Sequence, residues 1–243
     1  MDNTDNIKER KQRIQGMFNS IARRYDLLNH LLSGGIDRYW RWRALKSVRH
    51  AAPRRILDLA TGTGDFALSA RRLAPTYTVG VDVALNMLRL GVNKVARRPG
   101  PAPLRLLGGD AEQLPFREAS FDLVTVAFGV RNFGSIPAGL AEAFRVLKPG
   151  GELVVLDFSE PGTPVFRPLY RFYFTRVLPL VGGLISGNRQ AYSYLPRSVG
   201  TFPQGQAFID LLEEAGFSHP LATSLSWGIS SLYQGFKPPV PVD

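Results

Sequence analysis

Between residues 6 and 32, apolar side chains return at three- and four-residue steps: Ile7, Ile14, Met17, Phe18, Ile21, Tyr25 and Leu28. That spacing predicts a helix with one apolar stripe. After Gly34 and Gly35 a second helix starts near Asp37 and carries Tyr39, Trp40, Trp42 and Leu45; Pro53 closes the section. The period then changes. In RRILDLATGTGD a short apolar run reads as a buried strand, the glycines as a turn, and the residues through Leu73 as a helix. TYTVGVDVA, PLRLLGGDA, FDLVTVAFG and ELVVLDFSE are four further strand-like runs, the first three ending at Asp82, Asp110 and near Gly129. Helical spacing in LNMLRLGVNKVARR and PAGLAEAFRVL separates them, the second helix stopping at the LKPGG turn. Strands alternating with helices predict an α/β fold built on a doubly wound, mostly parallel sheet.

Past Pro161 the pattern breaks. Residues 161–203 are rich in arginine and aromatics, among them Phe166, Tyr170, Phe172, Tyr173, Phe174, Tyr192 and Tyr194. A last amphipathic helix, FPQGQAFIDLLEEAGF, leads to a hairpin over HPLATSLSWGISSLYQGFK. The expected organisation is one domain over 1–243, with a helical lid (1–50), a cofactor-binding core (51–160), a substrate-covering insertion (161–203) and a final helix and hairpin (204–236). At 243 residues and 44% hydrophobic content, the chain is long enough to bury a full core.

Composition narrows the chemistry. With no cysteine there is no disulfide, no Cys-ligated metal and no thiolate nucleophile; no metal site is expected. The polar start MDNTDNIKERKQRIQ does not read as a secretory signal. VLPLVGGLISGN falls short of the roughly 20 apolar residues of a spanning helix. A cytoplasmic protein is expected. The net charge is +10, and residues 1–55 hold 13 Lys and Arg against 5 Asp and Glu. Such a basic section suits an anionic membrane surface or nucleic acid, or is simply a solvated face.

In LDLATGTGD, Gly62, Gly64 and Ala67 satisfy G-x-G-x-x-A, the spacing of a dinucleotide loop. The carboxylates argue otherwise. Asp58 and Asp65 would set negative charge beside a pyrophosphate, whereas the ammonium and sulfonium of S-adenosylmethionine favour acidic neighbours. Asp82, 18 residues after Gly64, is placed to accept ribose hydroxyls, and Asp110 to accept from the adenine amino group. In a doubly wound sheet the ends of these strands share one crevice with the stretch from Ala127 to Asn132. The reading is methyl transfer.

MFNSIARRYDLLNHLLSGGIDRYWRW, LDLATGTGD, GDAEQLPFREASFDLVTVAFGVRNF, LKPGGELVVLDFSEP and YSYLPRSVGTFPQGQAFIDLLEEAGF together resemble the ubiquinone/menaquinone biosynthesis C-methyltransferases, the UbiE type, over about residues 15–236. The resemblance implies a class I S-adenosylmethionine-dependent methyltransferase with a Rossmann-like seven-stranded sheet. Its substrate would be a polyprenylated quinol: demethylmenaquinol, or a methoxy-benzoquinol on the ubiquinone route. Gly62 and Gly64 let backbone N–H groups come close to the donor; carried over by motif, Thr63, Asp82, Asp110 and Ala111 would contact it, with Asp58 and Ala127 beside it. The family often has serine where this chain has Ala127, which removes one hydrogen bond there. A quinol carbon is nucleophilic once the adjacent hydroxyl is ionised. Arg131 is expected to hold that phenolate rather than act as base, since arginine stays protonated; Asn132 lies beside it, and a bound water would take the proton. Tyr25 and Asn29 would close over the ring. His30 is the histidine near this region, though a lone histidine is more often a packing or surface residue. The aromatic insertion would groove the prenyl tail while basic helices rest on anionic lipid at the inner face of the membrane. A homodimer is left open.

Two rival readings remain at this point. A nucleic-acid methyltransferase would also be basic, but AFGVRNF is not the Asn/Asp-Pro-Pro-aromatic turn that positions an exocyclic amine, and no nucleic-acid partner is expected. A non-catalytic scaffold is opposed by the intact Asp82, Asp110 and Arg131.

Overall fold

The computed structural model describes residues 3–50, 52–162, 166–180 and 189–240. Seven strands form one sheet: β1 (Arg55–Leu59), β2 (Tyr77–Asp82), β3 (Leu104–Gly108), β4 (Phe121–Ala127), β5 (Leu147–Phe158), β6 (Ser218–Leu225) and β7 (Ser230–Phe236). Their order is β3-β2-β1-β4-β5-β7-β6; β1 to β5 pair in parallel, and β7 runs antiparallel to both neighbours. Order and direction match the expected mixed seven-stranded class I sheet.

Both faces are covered, which is why the inner strands read as continuous apolar runs rather than alternating ones. On one face Leu57, Leu59, Val124, Val126, Leu153 and Val155 meet α5 (Ile136–Val146) and α8 (Gln206–Glu214), through Leu140 and Phe208 among others. On the other, Ile56, Leu123, Val154 and Leu156 meet Trp40 and Leu45 of α2 (Ile36–Ser47) and Phe66 of α3 (Asp65–Ala70). Each fully buried side chain of this kind contributes about 1.5–3 kcal/mol. One buried carboxylate stitches the layers: Glu152 accepts the backbone N–H groups of Arg49 and His50 at 2.8 and 3.0 Å and the Gln234 amide at 2.8 Å. These bonds offset the cost of burying its charge.

Three boundaries differ from the sequence expectation. The helix after the glycine turn stops at Ala70 and tightens into a 3₁₀ turn over Arg71–Leu73. β3 ends at Gly108, where the Gly109 N–H turns to the Asp82 carbonyl; Asp110 lies beyond the strand. The LKPGG segment is not a free turn but enters the sheet as the start of β5, across an irregularity opposite Phe121 and Leu123.

Around this core, α1 (Asn3–Leu32) crosses the carboxyl ends of the strands and packs on α4 (Leu85–Ala96). The aromatic segment forms α6 (Phe166–Phe172), a π turn over Tyr173–Val177 and α7 (Arg189–Thr201). The side chains of Asn29, Phe166 and Tyr192 lie outside the described set.

Candidate active site

The glycine loop is built where β1 ends. Gly62 and Gly64 take φ of +57° and +80°, a region that costs glycine nothing. Asp58 anchors the loop from beneath, accepting the hydroxyls of Thr61 at 2.6 Å and Thr125 at 2.7 Å. It is 1% exposed and lines neither of the cavities described below. Burial pushes its carboxyl up to about 6, with the two hydroxyl bonds pulling the other way. Thr63 likewise turns away from the crevice. Its hydroxyl donates to Asp26 of α1 at 2.6 Å and accepts from Lys94 at 2.9 Å, while Lys94 also pairs with Asp26 and Asp65 at 2.7 and 2.6 Å. Asp58 was placed by its position before the glycine loop and Thr63 by family motif; the carboxylate that engages Thr63 arrives from a helix 37 residues away in sequence.

Beyond the loop lies a cleft of about 230 Å³, lined by Gly62, Asp82, Asp110, Ala111, Ala127 and Asn132 together with apolar walls from Val81, Met87 and Phe133. The two oxygens of Asp82 accept the N–H groups of Gly62 and Ala84, each at 2.7 Å. Burial raises its pKa while those backbone bonds oppose the rise. Asp110 accepts from the Glu112 N–H at 2.9 Å. α1 roofs the cleft: Lys11 bridges Asp110 and Glu112 at 2.7 and 2.8 Å, and Gln15 donates to the Val83 carbonyl at 2.6 Å. Lys11 and Glu112 escaped the sequence reading. Glu112 was within reach of it, since it follows Asp110 in the quoted motif and its other oxygen accepts from Gly134 N–H at 2.6 Å.

A second, larger cavity of about 500 Å³ opens beside the first. Its walls are almost wholly apolar: Met17 and Ile21 of α1, Trp40, Phe158, and Phe174 with Leu178. Phe18, Tyr25 and Phe128 line both cavities and form their common wall. Phe128 stands at φ +58°, a position unusual for a bulky residue, and its ring packs 4.8 Å from Phe158 and 6.1 Å from Trp40. That backbone twist at the end of β4 turns an aromatic ring into the partition.

Arg131 lines the chamber, and Asn132 lines the cleft. Arg131 is not a free cation. Its Nη1 donates to the Phe128 carbonyl at 2.7 Å and pairs with Asp157, at the end of β5, in the buried interior. The pairing lowers the net charge the guanidinium presents to a ligand. Asp157 was missed, although it stands in LDFSEP at a strand end next to the crevice. Asn132 accepts the Tyr194 hydroxyl at 3.0 Å, tying α7 to the site. His30 lines neither cavity itself; its Nδ1 lies 2.9 Å from Asp37, which lines the larger one.

The residues of the cleft fit S-adenosylmethionine. Asp82 and Asp110 are acceptors for hydroxyl and amino groups, and Val81, Ala111 and Phe133 give an apolar slot for a base.

A model of the ubiE/COQ5 methyltransferase family matches residues 5–237. The chain belongs to that family. Its relatives include a demethylmenaquinone methyltransferase of Thermus thermophilus, 49% identical over 91% of this chain and 100% of that protein. A ubiquinone/menaquinone biosynthesis C-methyltransferase UbiE of Geobacter sulfurreducens is 45% identical over 95% of this chain and 91% of that protein. Among solved structures, a Thermotoga maritima S-adenosylmethionine-dependent methyltransferase superposes with TM-score 0.63 at 20% identity, covering 91% of this chain and 99% of its own. This last likeness carries the fold alone. The family member described here is an S-adenosylmethionine-dependent methyltransferase, and the work of the family is carbon methylation in menaquinone and ubiquinone biosynthesis.

Proposed function

We propose that this chain methylates a ring carbon of demethylmenaquinol to give menaquinol, with the prenyl tail of the substrate drawn from a bilayer. The supporting observation is the common wall: an acid-lined cleft and an apolar chamber meet at Phe18, Tyr25 and Phe128. The bound donor supplies an electrophilic methyl group on a sulfonium. Asp82 holds the ribose hydroxyls and Asp110 faces the adenine, with Gly62, Ala111 and Ala127 leaving room for close approach. On the chamber side Arg131 favours ionisation of the hydroxyl beside the reacting carbon and Tyr25 borders the ring, while Asn132 faces it from the cleft side of the common wall. The apolar walls exclude water and strengthen those contacts.

The chamber opens toward a greasy rim. Leu169 and Trp227 line it and yet are 65% and 69% exposed. Phe172 of α6 is exposed near Leu169 in sequence, as are Arg167 and Arg171. Such a rim suits peripheral contact with an anionic bilayer. Among the described residues no helix is long and apolar enough to cross a membrane.

The test uses labelled S-adenosylmethionine with demethylmenaquinone, chemically reduced or oxidised, and with the reduced methoxy-benzoquinone precursor, all in detergent. Transfer to reduced demethylmenaquinone alone is expected. Preference for the benzoquinol moves the enzyme to the ubiquinone route, and no transfer to either quinol overturns the reading.

A further inference from the structure

Two residues that line this chamber each carry a buried polar atom with no hydrogen-bond partner among the described residues: the Tyr170 hydroxyl and Nε of Arg131. Tyr170 is 8% exposed and Arg131 6%, and both line the chamber. A buried donor left unpaired is costly, and native proteins retain few of them. Packing does not account for the Tyr170 hydroxyl. The Tyr170 ring is stacked on Phe174 with centroids 4.2 Å apart, a contact that phenylalanine would make as well. Among the described residues, then, the Tyr170 hydroxyl is left free to serve a ligand.

The electrostatics define what that is. Burial pushes the Tyr170 phenol well above its ordinary range, with the Arg131 charge pulling it back. At neutral pH Tyr170 is a proton donor in a hydrogen bond, not a base. Arg131 Nε is also a donor only. Ser33, Asp37 and Arg41 also line the chamber, but two unpaired donors among the rings of Trp40, Phe128, Phe158 and Phe174 match a flat aromatic ring that carries oxygen.

We propose that Tyr170 and Arg131 are a donor pair for the ring oxygens of the methyl acceptor, with Tyr170 O–H donating to one oxygen and Arg131 Nε–H to an oxygen as well. Tyr170 is then a substrate-binding residue that orients the ring against the Phe128 wall. The proposal deepens the quinol reading above and rests on it.

A double comparison tests it. The full chain and Tyr170→Phe are each titrated calorimetrically with 1,4-dihydroxynaphthalene, kept reduced, and with naphthalene, which has the same face and no oxygen. Wild type should prefer the dihydroxy compound. Loss of one hydrogen bond should weaken that ligand about tenfold in Tyr170→Phe and leave naphthalene within about twofold. The melting temperature of the ligand-free variant should hold or rise, because an unpaired hydroxyl has been removed. Equal loss for both ligands, no loss for the dihydroxy compound, no preference in wild type, or a lowered melting temperature each overturns the proposal. Wild-type turnover of reduced demethylmenaquinone reads the other question separately. Binding with the predicted selectivity but without turnover would keep the donor pair and sink the substrate reading.

Discussion

Replacing Asp58 with asparagine should make the protein more stable at neutral pH and less so, relative to wild type, in acid. Asp58 is buried under the cofactor loop, and its carboxyl is pushed from an ordinary 3.8 up to about 6. A folded-state pKa above the unfolded value means the fold binds the proton more tightly. That stability is full below about pH 4 and is lost as pH rises through 6. Two pKa units correspond to about 3 kcal/mol. Asparagine keeps the shape and still accepts a hydroxyl, but it does not titrate. The stability difference between Asp58→Asn and wild type should therefore move by about 3 kcal/mol in favour of the variant between pH 3 and pH 7, or roughly 6–12 °C in melting temperature for a chain of this size. Urea melts across that range measure it. A difference that stays flat within about 1 kcal/mol would refute the assignment of a strained, ionised Asp58. The substitution also removes negative charge from beneath the loop, so affinity for S-adenosylmethionine should fall while stability rises.

Asp157→Asn should destabilise the fold by about 3–5 kcal/mol in urea melts, because it strands the buried Arg131 charge; Arg131→Met with Asp157→Leu should recover most of that loss. Asp82→Ala removes an acceptor held by two backbone bonds, and at about 1.5–3 kcal/mol per charged hydrogen bond it should weaken S-adenosylhomocysteine binding at least tenfold by calorimetry. Trp227→Ser together with Leu169→Ser should reduce sedimentation with anionic vesicles several-fold at low salt; equal sedimentation of variant and parent would rule out the rim as the docking face.

What the sequence made legible was local. Short continuous apolar runs set between segments of helical period, and glycines at fixed offsets, placed five parallel strands and the loop that ends at Gly64. Strand-end logic then brought Asp82, Asp110, Ala127 and Asn132 to one cleft. It failed where a partner comes from far along the chain. The family motif points Thr63 to the donor, and it gives no sign that Asp26 and Lys94 engage its hydroxyl. Arg131 reads as a lone cation until β5 folds beside β4 and delivers Asp157. Tyr170 was one aromatic among many. Only the folded chain distinguishes it, since an orphaned hydroxyl is a property of surroundings and not of spacing. The shared wall was equally hidden, because it depends on a positive φ at Phe128, a residue type for which the pattern predicts none.

Passage of a methyl group from the acid-lined cleft to a ring carbon held in the apolar chamber is tested most directly by the product itself. Reduced demethylmenaquinone should be turned over with S-adenosylmethionine carrying a ¹³C-methyl group, and the isolated product examined by NMR. A label on ring carbon, at an aryl-methyl shift, is predicted. A label on oxygen, as a methyl ether, or no label in the quinol at all, would contradict it.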